Sequence, residues 1–495
     1  MDNTALQEFF VPEDVLQILL SASNSSTLID SLETLIQVCR AADGRADLAS
    51  KSILPSVVQL IQSLPYPSGR HLLTLSLKLL RNLCAGEVSN QKSFLEQSGV
   101  AIMSNVLNSA NISLEPDSGV IRMGLQVLAN VSLAGERHQH AIWQQLFPKE
   151  FLALARVQSR ETCDPLCMVI FACCDGSPEL FEKLCGDGAI TIMKEIVRTT
   201  AAVGFGEDWV KLLLSRICLE GPYFSSLFSN LGFATSENVE DTEFREDLFS
   251  SEQAFFLRIV SDILNERLRE ITVPRDFALC VFGIFKKSVG ALNCVTRGQS
   301  GLPTGTSMID VLGYSLAVLR DVCAQKTLRG FQEDLGDAVD VLLSHGLIEL
   351  ILCLLRDLEP PAIIRKAIKQ GEGQDGTNSG SSKPCPYKGF RRDIVAVIGN
   401  CTYQRKPVQD EIRQRDGILL LLQQCGLDED NPFLKEWGIW CVRNLLEGNE
   451  DNKRVVTELE LQGSVDAPEI AGLGLRVEAS LVVLCILFWL ANKIS

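Results

Sequence analysis

Aromatic side chains make up only 6% of this 495-residue chain, and histidine occurs just four times. Strands favour β-branched and aromatic residues in alternating runs, and no extended alternation of that kind is present. Scarce histidine removes the commonest general base and metal ligand from most of the chain, and none of the four is paired with a plausible nucleophile. No GxxxxGK[ST], GxSxG or HExxH motif occurs, so phosphate-cradling, nucleophile-elbow and zincin chemistries have no support. Positive charge is short too, with 46 Lys and Arg against 62 Asp and Glu and a formal net charge of −16. An acidic field repels phosphate, which argues against nucleic acid as a partner. The opening MDNTALQEFFVPEDV lacks the basic start and apolar core of a secretory signal. The 17 cysteines lie scattered in apolar helical runs such as LLRNLC. They read as reduced, buried small hydrophobes of a cytoplasmic protein, not as a disulfide framework.

What the chain has is leucine at helical spacing, and self-similarity. LLRNLCAGEVSNQKSFLEQSGV begins at Leu79 and VLANVSLAGERHQHAIWQQLFP at Val127; VIGNCTYQRKPVQDEIRQRDGI begins at Val397 and CVRNLLEGNEDNKRVVTELELQ at Cys441. Each carries an apolar turn and then Asn82, Asn130, Asn400 or Asn444. Nine residues later stand Gln91, Gln139 and Gln409, with Lys453 in the fourth copy. Gly99 and Gly417 each follow their asparagine by seventeen residues and open a new apolar run. The asparagines are 48 residues apart in the first pair and 44 in the second, close to the period of armadillo and HEAT repeats. Weaker copies start at Phe171 and at Leu316, where Asp321 takes the asparagine's place and the glycine, Gly346, comes later. The expected fold is an all-α, armadillo/HEAT-like right-handed helical solenoid.

Punctuation refines the expectation. In GLDEDNPFLKEWGIWCVRNLLEG, Asn431 suits an N-cap, Pro432 a first helical residue and Gly448 the C′ position. Pro67 and Ser68 open another helix in the same way. The organisation expected is 1–235 N-terminal repeats, 236–369 middle repeats, 370–386 a Gly/Ser/Pro-rich inserted loop, 387–478 C-terminal repeats and 479–495 an apolar tail. Within that tail, Leu481 to Ala491 is an uninterrupted apolar run of eleven residues. At ~1.5 Å per residue it reaches ~16 Å, short of a ~30 Å hydrocarbon core. An alternative C-terminus is the favoured reading of the tail, ahead of a membrane-surface contact or a helix docked on the last repeat.

The candidate chemical sites each have a plainer reading. Gly371, Gly373 and Gly376 match GxGxxG but follow a helical run, AIIRKAIK, and no strand, so they read as loop. Cys163, Cys167, Cys173, Cys174 and Cys185 with nearby His138 and His140 could form a metal site, but LCMVIFACC reads as a buried helix, and core packing is favoured. The acidic LDEDN at Leu427–Asn431 lacks a calcium loop's central glycine and closing glutamate, and reads as a capping turn. Lys388 to Arg415 carries a local excess of four positive charges, including Arg405, Lys406, Arg413 and Arg415. It is either a dock for an acidic segment or, preferably, a solvated face. The repeated asparagines are either structural pegs or a ladder of amides clamping an extended peptide, the peg being favoured because buried polar groups are normally paired internally.

The stretch from Pro386 to Asn452, with GFRRDIVAVIGN, the NPFLKEW turn and the VRNL ending, resembles the C-terminal domain of the ataxin-10 family. The repeats around Asn82 and Asn130 fit that family's armadillo-like organisation less diagnostically. The resemblance implies a cytoplasmic scaffold without enzymatic activity, binding other proteins in cell-division control and signalling. It implies no cofactor and no catalytic, metal or ligand residue. After GLRVE the chain departs from the family pattern and enters its apolar tail. The reading from sequence is therefore a non-enzymatic protein–protein interaction scaffold, the alternative being a transport-type adaptor that reads peptides through the asparagines. Homo-oligomerisation stays open at this stage.

Overall fold

The computed structural model describes residues 26–112, 115–206, 208–233, 248–291, 300–329, 338–361 and 383–461. The GxGxxG glycines, most of the inserted loop and the whole apolar tail lie outside them. The chain divides into two compact units, Met1–Asn230 and Leu231–Ser495.

The first unit opens with α1 (Ser26–Val38) and then runs in triplets. These are α2 (Ala42–Ser50), α3 (Leu54–Ser63) and α4 (Arg70–Leu83), followed by α5 (Val88–Glu96), α6 (Gly99–Asn111) and α7 (Ser118–Ser132). Next come α8 (Glu136–Leu146), α9 (Lys149–Ala155) and α10 (Arg160–Asp175), and then α11 (Pro178–Leu184), α12 (Asp187–Val203), α13 (Trp209–Cys218) and a closing α14 (Phe224–Asn230). The third helices are the spine, with α4 packed on α7, α7 on α10 and α10 on α13.

The second unit contains α15 (Ser251–Glu266), α16 (Arg275–Gly290), α17 (Ser307–Arg329), α18 (Ala338–Ser344), α19 (Leu347–Asp357) and α20 (Phe390–Thr402). It continues with α21 (Lys406–Gln414), α22 (Gly417–Leu422), a 3₁₀ turn at Gln423–Cys425, α23 (Leu434–Leu446) and α24 (Glu450–Leu461). Its spine is α17 on α20 and α20 on α23. Among the described residues the only strand-type pairing is one isolated bridge, Leu358 with Lys383. Each unit is a solenoid-type stack of three-helix repeats, as the sequence period implies.

The reasons are local. In α4, Leu73, Leu77, Leu80 and Leu83 recur at helical spacing and are all buried, while Arg70, Lys78 and Arg81 take the other side. Gly99 and Gly417 start α6 and α22 as expected. A Cβ at Gly99 would stand 2.5 Å from the Phe94 ring, and one at Gly417 2.7 Å from Ile412, so only glycine allows the tight second turn of the repeat. Gly448 does occupy the left-handed position after α23, with φ +69°.

Two capping expectations fail. Pro67 and Ser68 do not open α4, which starts at Arg70 behind Gly69 with no side-chain cap. Asn431 and Pro432 do not begin α23, which starts at Leu434 behind Phe433 in the left-handed region. Asn431 is recruited elsewhere: its Oδ1 accepts from Arg391 N at 3.0 Å, and its Nδ2 donates to Asp428 Oδ2 at 3.1 Å. A demand at the start of α20 thus outweighs the local capping signal.

Candidate functional site

The repeated asparagines lie at the ends of the spine helices, and the structure shows what their amides do. Asn130 Nδ2 donates to Arg81 O at 2.8 Å, Asn400 to Arg320 O at 3.0 Å and Asn444 to Gly399 O at 2.9 Å. In each case the acceptor is the carbonyl just before the equivalent ladder residue of the preceding repeat. Asn400 and Asn444 are buried and Asn130 is half-buried. Asn82, at the start of the series, instead accepts through Oδ1 from Arg81 Nε and Nη2. Where Asp321 replaces the asparagine, a carboxylate has no N–H to give, and its Oδ1 accepts from Arg320 Nε at 2.9 Å. Burial pushes the Asp321 carboxyl above its ordinary range, outweighing the neighbouring guanidinium.

The glutamines nine residues later reach the opposite way. Gln91 Nε2 donates to Cys84 O at the end of spine helix α4 at 2.9 Å and to Asn130 O of the next spine helix, α7, at 2.8 Å. Gln139 Nε2 donates to Ala172 O of α10 at 3.0 Å. Gln409 Nε2 lies near three carbonyls, Asn444 O at 2.8 Å, Glu447 O at 3.2 Å and Thr402 O at 3.3 Å. Adjacent repeats are therefore bolted in both directions, asparagine backward and glutamine forward. Further asparagines complete the seams: Asn90 donates to Leu83 O at 2.9 Å, and Asn452 to Leu445 O at 2.9 Å and Gln409 O at 3.2 Å. Their recurrence was visible in the sequence, but their role required the stack. The bonds support the peg reading; a peptide-reading ladder needs amides that face outward.

The basic segment resolves residue by residue. Arg405 is buried, 3.6 Å from Asp340 and 3.4 Å from the Asn400 carbonyl. Arg413 donates to Asp410 Oδ1 at 2.8 Å and Asn452 Oδ1 at 2.6 Å, fastening the α21–α24 seam. Arg415 bridges Glu411 at 3.0 Å and Glu349 at 3.1 Å. Of these four basic residues, Lys406 is the exposed one. The positive excess thus does not form one open face, because helical periodicity turns Arg405 inward.

Arg391 is buried at the centre of a polar hub that sequence reasoning missed. Its Nη1 donates to Gln424 Oε1 at 3.1 Å, its Nη2 to the Glu359 carbonyl, and its Nε lies 4.0 Å from Asp428. Asp428, from the LDEDN stretch read as a capping turn, is buried here. Tyr387 OH donates to Asp393 Oδ2 at 2.9 Å beside it, and burial pushes that phenol well above its ordinary range. The inserted loop departs from this hub: Lys383 N donates to Asp357 O and Glu359 N to Lys383 O, both at 2.8 Å. The residues that make GFRRD and LDEDNPF distinctive therefore hold structure together.

The cysteine-rich run forms α10, where Cys163, Cys167, Cys173 and Cys174 are buried. Burial pushes the Cys173 thiol up to about 12, which keeps it protonated. Cys185 lies beyond, after α11. His138 is buried, whereas His140 is partly exposed and 3.3 Å from Glu179, so the two imidazoles do point apart. Among the described residues no group of three or more His, Cys, Asp or Glu side chains gathers as metal ligands.

Comparison with known proteins adds a family resemblance. Residues 390–482 match the family model described as the Spinocerebellar ataxia type 10 protein domain. Ataxin-10 of Xenopus tropicalis is 24% identical over 81% of this chain and 77% of its own length. Ataxin-10 of Bos taurus is 27% identical over 83% of the chain and 81% of its own. The ataxin-10 homolog of Dictyostelium discoideum is 35% identical over 108 residues, 21% of this chain and 18% of its own. A designed armadillo repeat protein solved with the peptide (KR)4 aligns with 50% of the chain and 99% of its own, at 15% identity and a TM-score of 0.32. The resemblance to the ataxin-10 family thus extends along four-fifths of the chain.

Proposed function

We propose that this chain is a protein-interaction scaffold without catalytic activity of its own, acting in the cytoplasm. The observation that carries the reading is the two-way seam between repeats. Chemistry-bearing amides are occupied in fixing helix against helix, which yields a stiff platform and pre-organises whatever its surface displays. Such a platform binds by many modest contacts over a large area. In the first unit, Arg122 and Gln126 of α7 are half-exposed on the spine, and Arg81 of α4 reaches Gln126 Oε1 at 2.9 Å. Phe171 and Trp209 of α10 and α13 pair at 6.0 Å and are likewise half-exposed. Arginine and tryptophan are the residue types that most often anchor protein partners. We extend the reading, on the family resemblance drawn from sequence, to partners in cell-division control and signalling.

The test is affinity capture from cytosol with the intact chain and with Arg122→Glu/Gln126→Ala, checking helicity by circular dichroism. The expected result is a defined partner set that the variant loses while staying folded. A partner list no different from that of an unrelated helical-repeat control would defeat the proposal.

A further inference from the structure

The end of the second unit's spine presents a face that the preceding spine helix, α20, hides. On α20, Gly399 packs against α23, where an added Cβ would stand 3.4 Å from Cys441 Cα. Val395 and Ala396, one turn earlier on the same side, are buried. The repeat offset of 44 residues places Ile439, Trp440 and Arg443 at these positions on α23. Ile439 is 39% exposed and Trp440 is 40% exposed, with the Arg443 guanidinium 4.8 Å from the Trp440 ring centre. Phe433, two turns before Trp440, extends the strip and is also exposed. Bulky Trp440 and Arg443, where α20 has alanine and glycine, keep a further spine helix from nesting as α23 nests on α20. The forward-reaching glutamine is gone as well, for Lys453 stands at its position and pairs with Glu450 at 2.8 Å. The stack is closed to another repeat of the same kind, yet its end is apolar.

We propose that the apolar run Leu481–Ala491 of the same chain seats on this face and caps the stack. The chain leaves the described residues at Leu461 in α24, which packs on α23 and α21. Residues 462–480 separate Leu461 from the run, and a stretch of that length spans at most ~60 Å at ~3.3 Å per residue, ample for a face on the adjacent helix. The run holds no charge across Leu481–Ala491 and includes Phe488 and Trp489, matching the apolar strip. As a helix it is ~16 Å long, enough to cover the ~10 Å from Phe433 to Trp440 and too short to cross a bilayer. Tethering raises its local concentration to the millimolar range, ahead of a second copy in dilute solution. Terminal repeats need a cover of their own, and here the sequence carries one.

The test is photo-crosslinking in the full chain with p-benzoylphenylalanine at position 440, an exposed site, read by mass spectrometry at low micromolar protein. The expected adduct joins position 440 to residues 481–491 within one chain. In a Leu484→Asp/Leu487→Asp background it falls by about tenfold or more, since a charged run no longer desolvates favourably. Adducts only between chains would assign the face to a second copy and overturn the proposal. So would transfer of the adduct to lipid in phosphatidylcholine vesicles, or no adduct in a chain whose circular dichroism is intact. As an independent check on unsubstituted Trp440, amide exchange across α23 should quicken in the double variant, and unchanged exchange would overturn the cap.

Discussion

Gln409→Ala is the sharpest probe of the seam. The side chain is 2% exposed, and its amide has two N–H groups for three carbonyls. One hydrogen serves Asn444 O at 2.8 Å, and the other is shared between Glu447 O at 3.2 Å and Thr402 O at 3.3 Å. Its Oε1 also accepts from Asn449 Nδ2 at 3.2 Å. Each buried bond contributes ~1 kcal/mol net, and partners left unsatisfied raise the cost, so the expected loss is about 2–4 kcal/mol. Two units in one chain make a single global unfolding energy ill-defined, so the assay is native-state hydrogen exchange, read on peptides covering α23. A loss of that size speeds exchange there by about 30- to 900-fold, at ~1.4 kcal/mol per tenfold. Gln414→Ala, exposed on the same helix, is the control and should stay within about 0.5 kcal/mol. If the two variants exchange alike, the forward glutamine is not a bolt and the account of the stack is wrong.

Gly438→Ala would place a Cβ 2.5 Å from the Gln424 carbonyl oxygen; a cost of about 1–3 kcal/mol from forced backbone movement should appear as a lower midpoint of the α23 transition in urea. Asp117 caps α7 and its pKa is held below the carboxylate range, chiefly by the hydrogen bond from Arg70. Its folded pKa is below its unfolded one, so its contribution is full above about pH 4 and is lost as pH falls through the folded value. The stability difference between wild type and Asp117→Asn, about 0.5–1 kcal/mol given Arg70's exposure, should therefore shrink on acidification, and a constant gap contradicts this. Asp321 has the opposite sign: burial raises its folded pKa, so its ionisation destabilises the fold increasingly as pH climbs from about 4 through the raised value. Asp321→Asn should flatten that decline in thermal melts across the window, and an unchanged slope would place the titration elsewhere.

The helical repeat was legible because its signals are local and periodic: leucines at helical spacing, glycines at tight turns, an amide at a fixed offset. The asparagines and glutamines could be located by the same arithmetic. Their partners could not, because Arg81 and Asn130 are 49 residues apart and meet only when repeats stack. Arg405 and Arg391 misled for a related reason. Charge counted along the chain ignores which side of a helix faces in, and a buried arginine with carbonyl and carboxylate partners looks the same in sequence as a solvated one. Asn431 was misread because its capping propensity is local, while its bond to Arg391 is forty residues away. Local signals prevailed where nothing distant competed for the same side chain.

The ladder asparagines Asn130, Asn400 and Asn444 and the glutamines Gln91, Gln139 and Gln409 all donate to main-chain carbonyls. A carbonyl is present whatever residue occupies its position, so the socket that one repeat offers the next is indifferent to that neighbour's composition. The surface sequence of any repeat can therefore drift while the joint persists. Tolerance of that kind leaves the exposed faces free to diverge, while the constraint falls on the buried amides that make the joints.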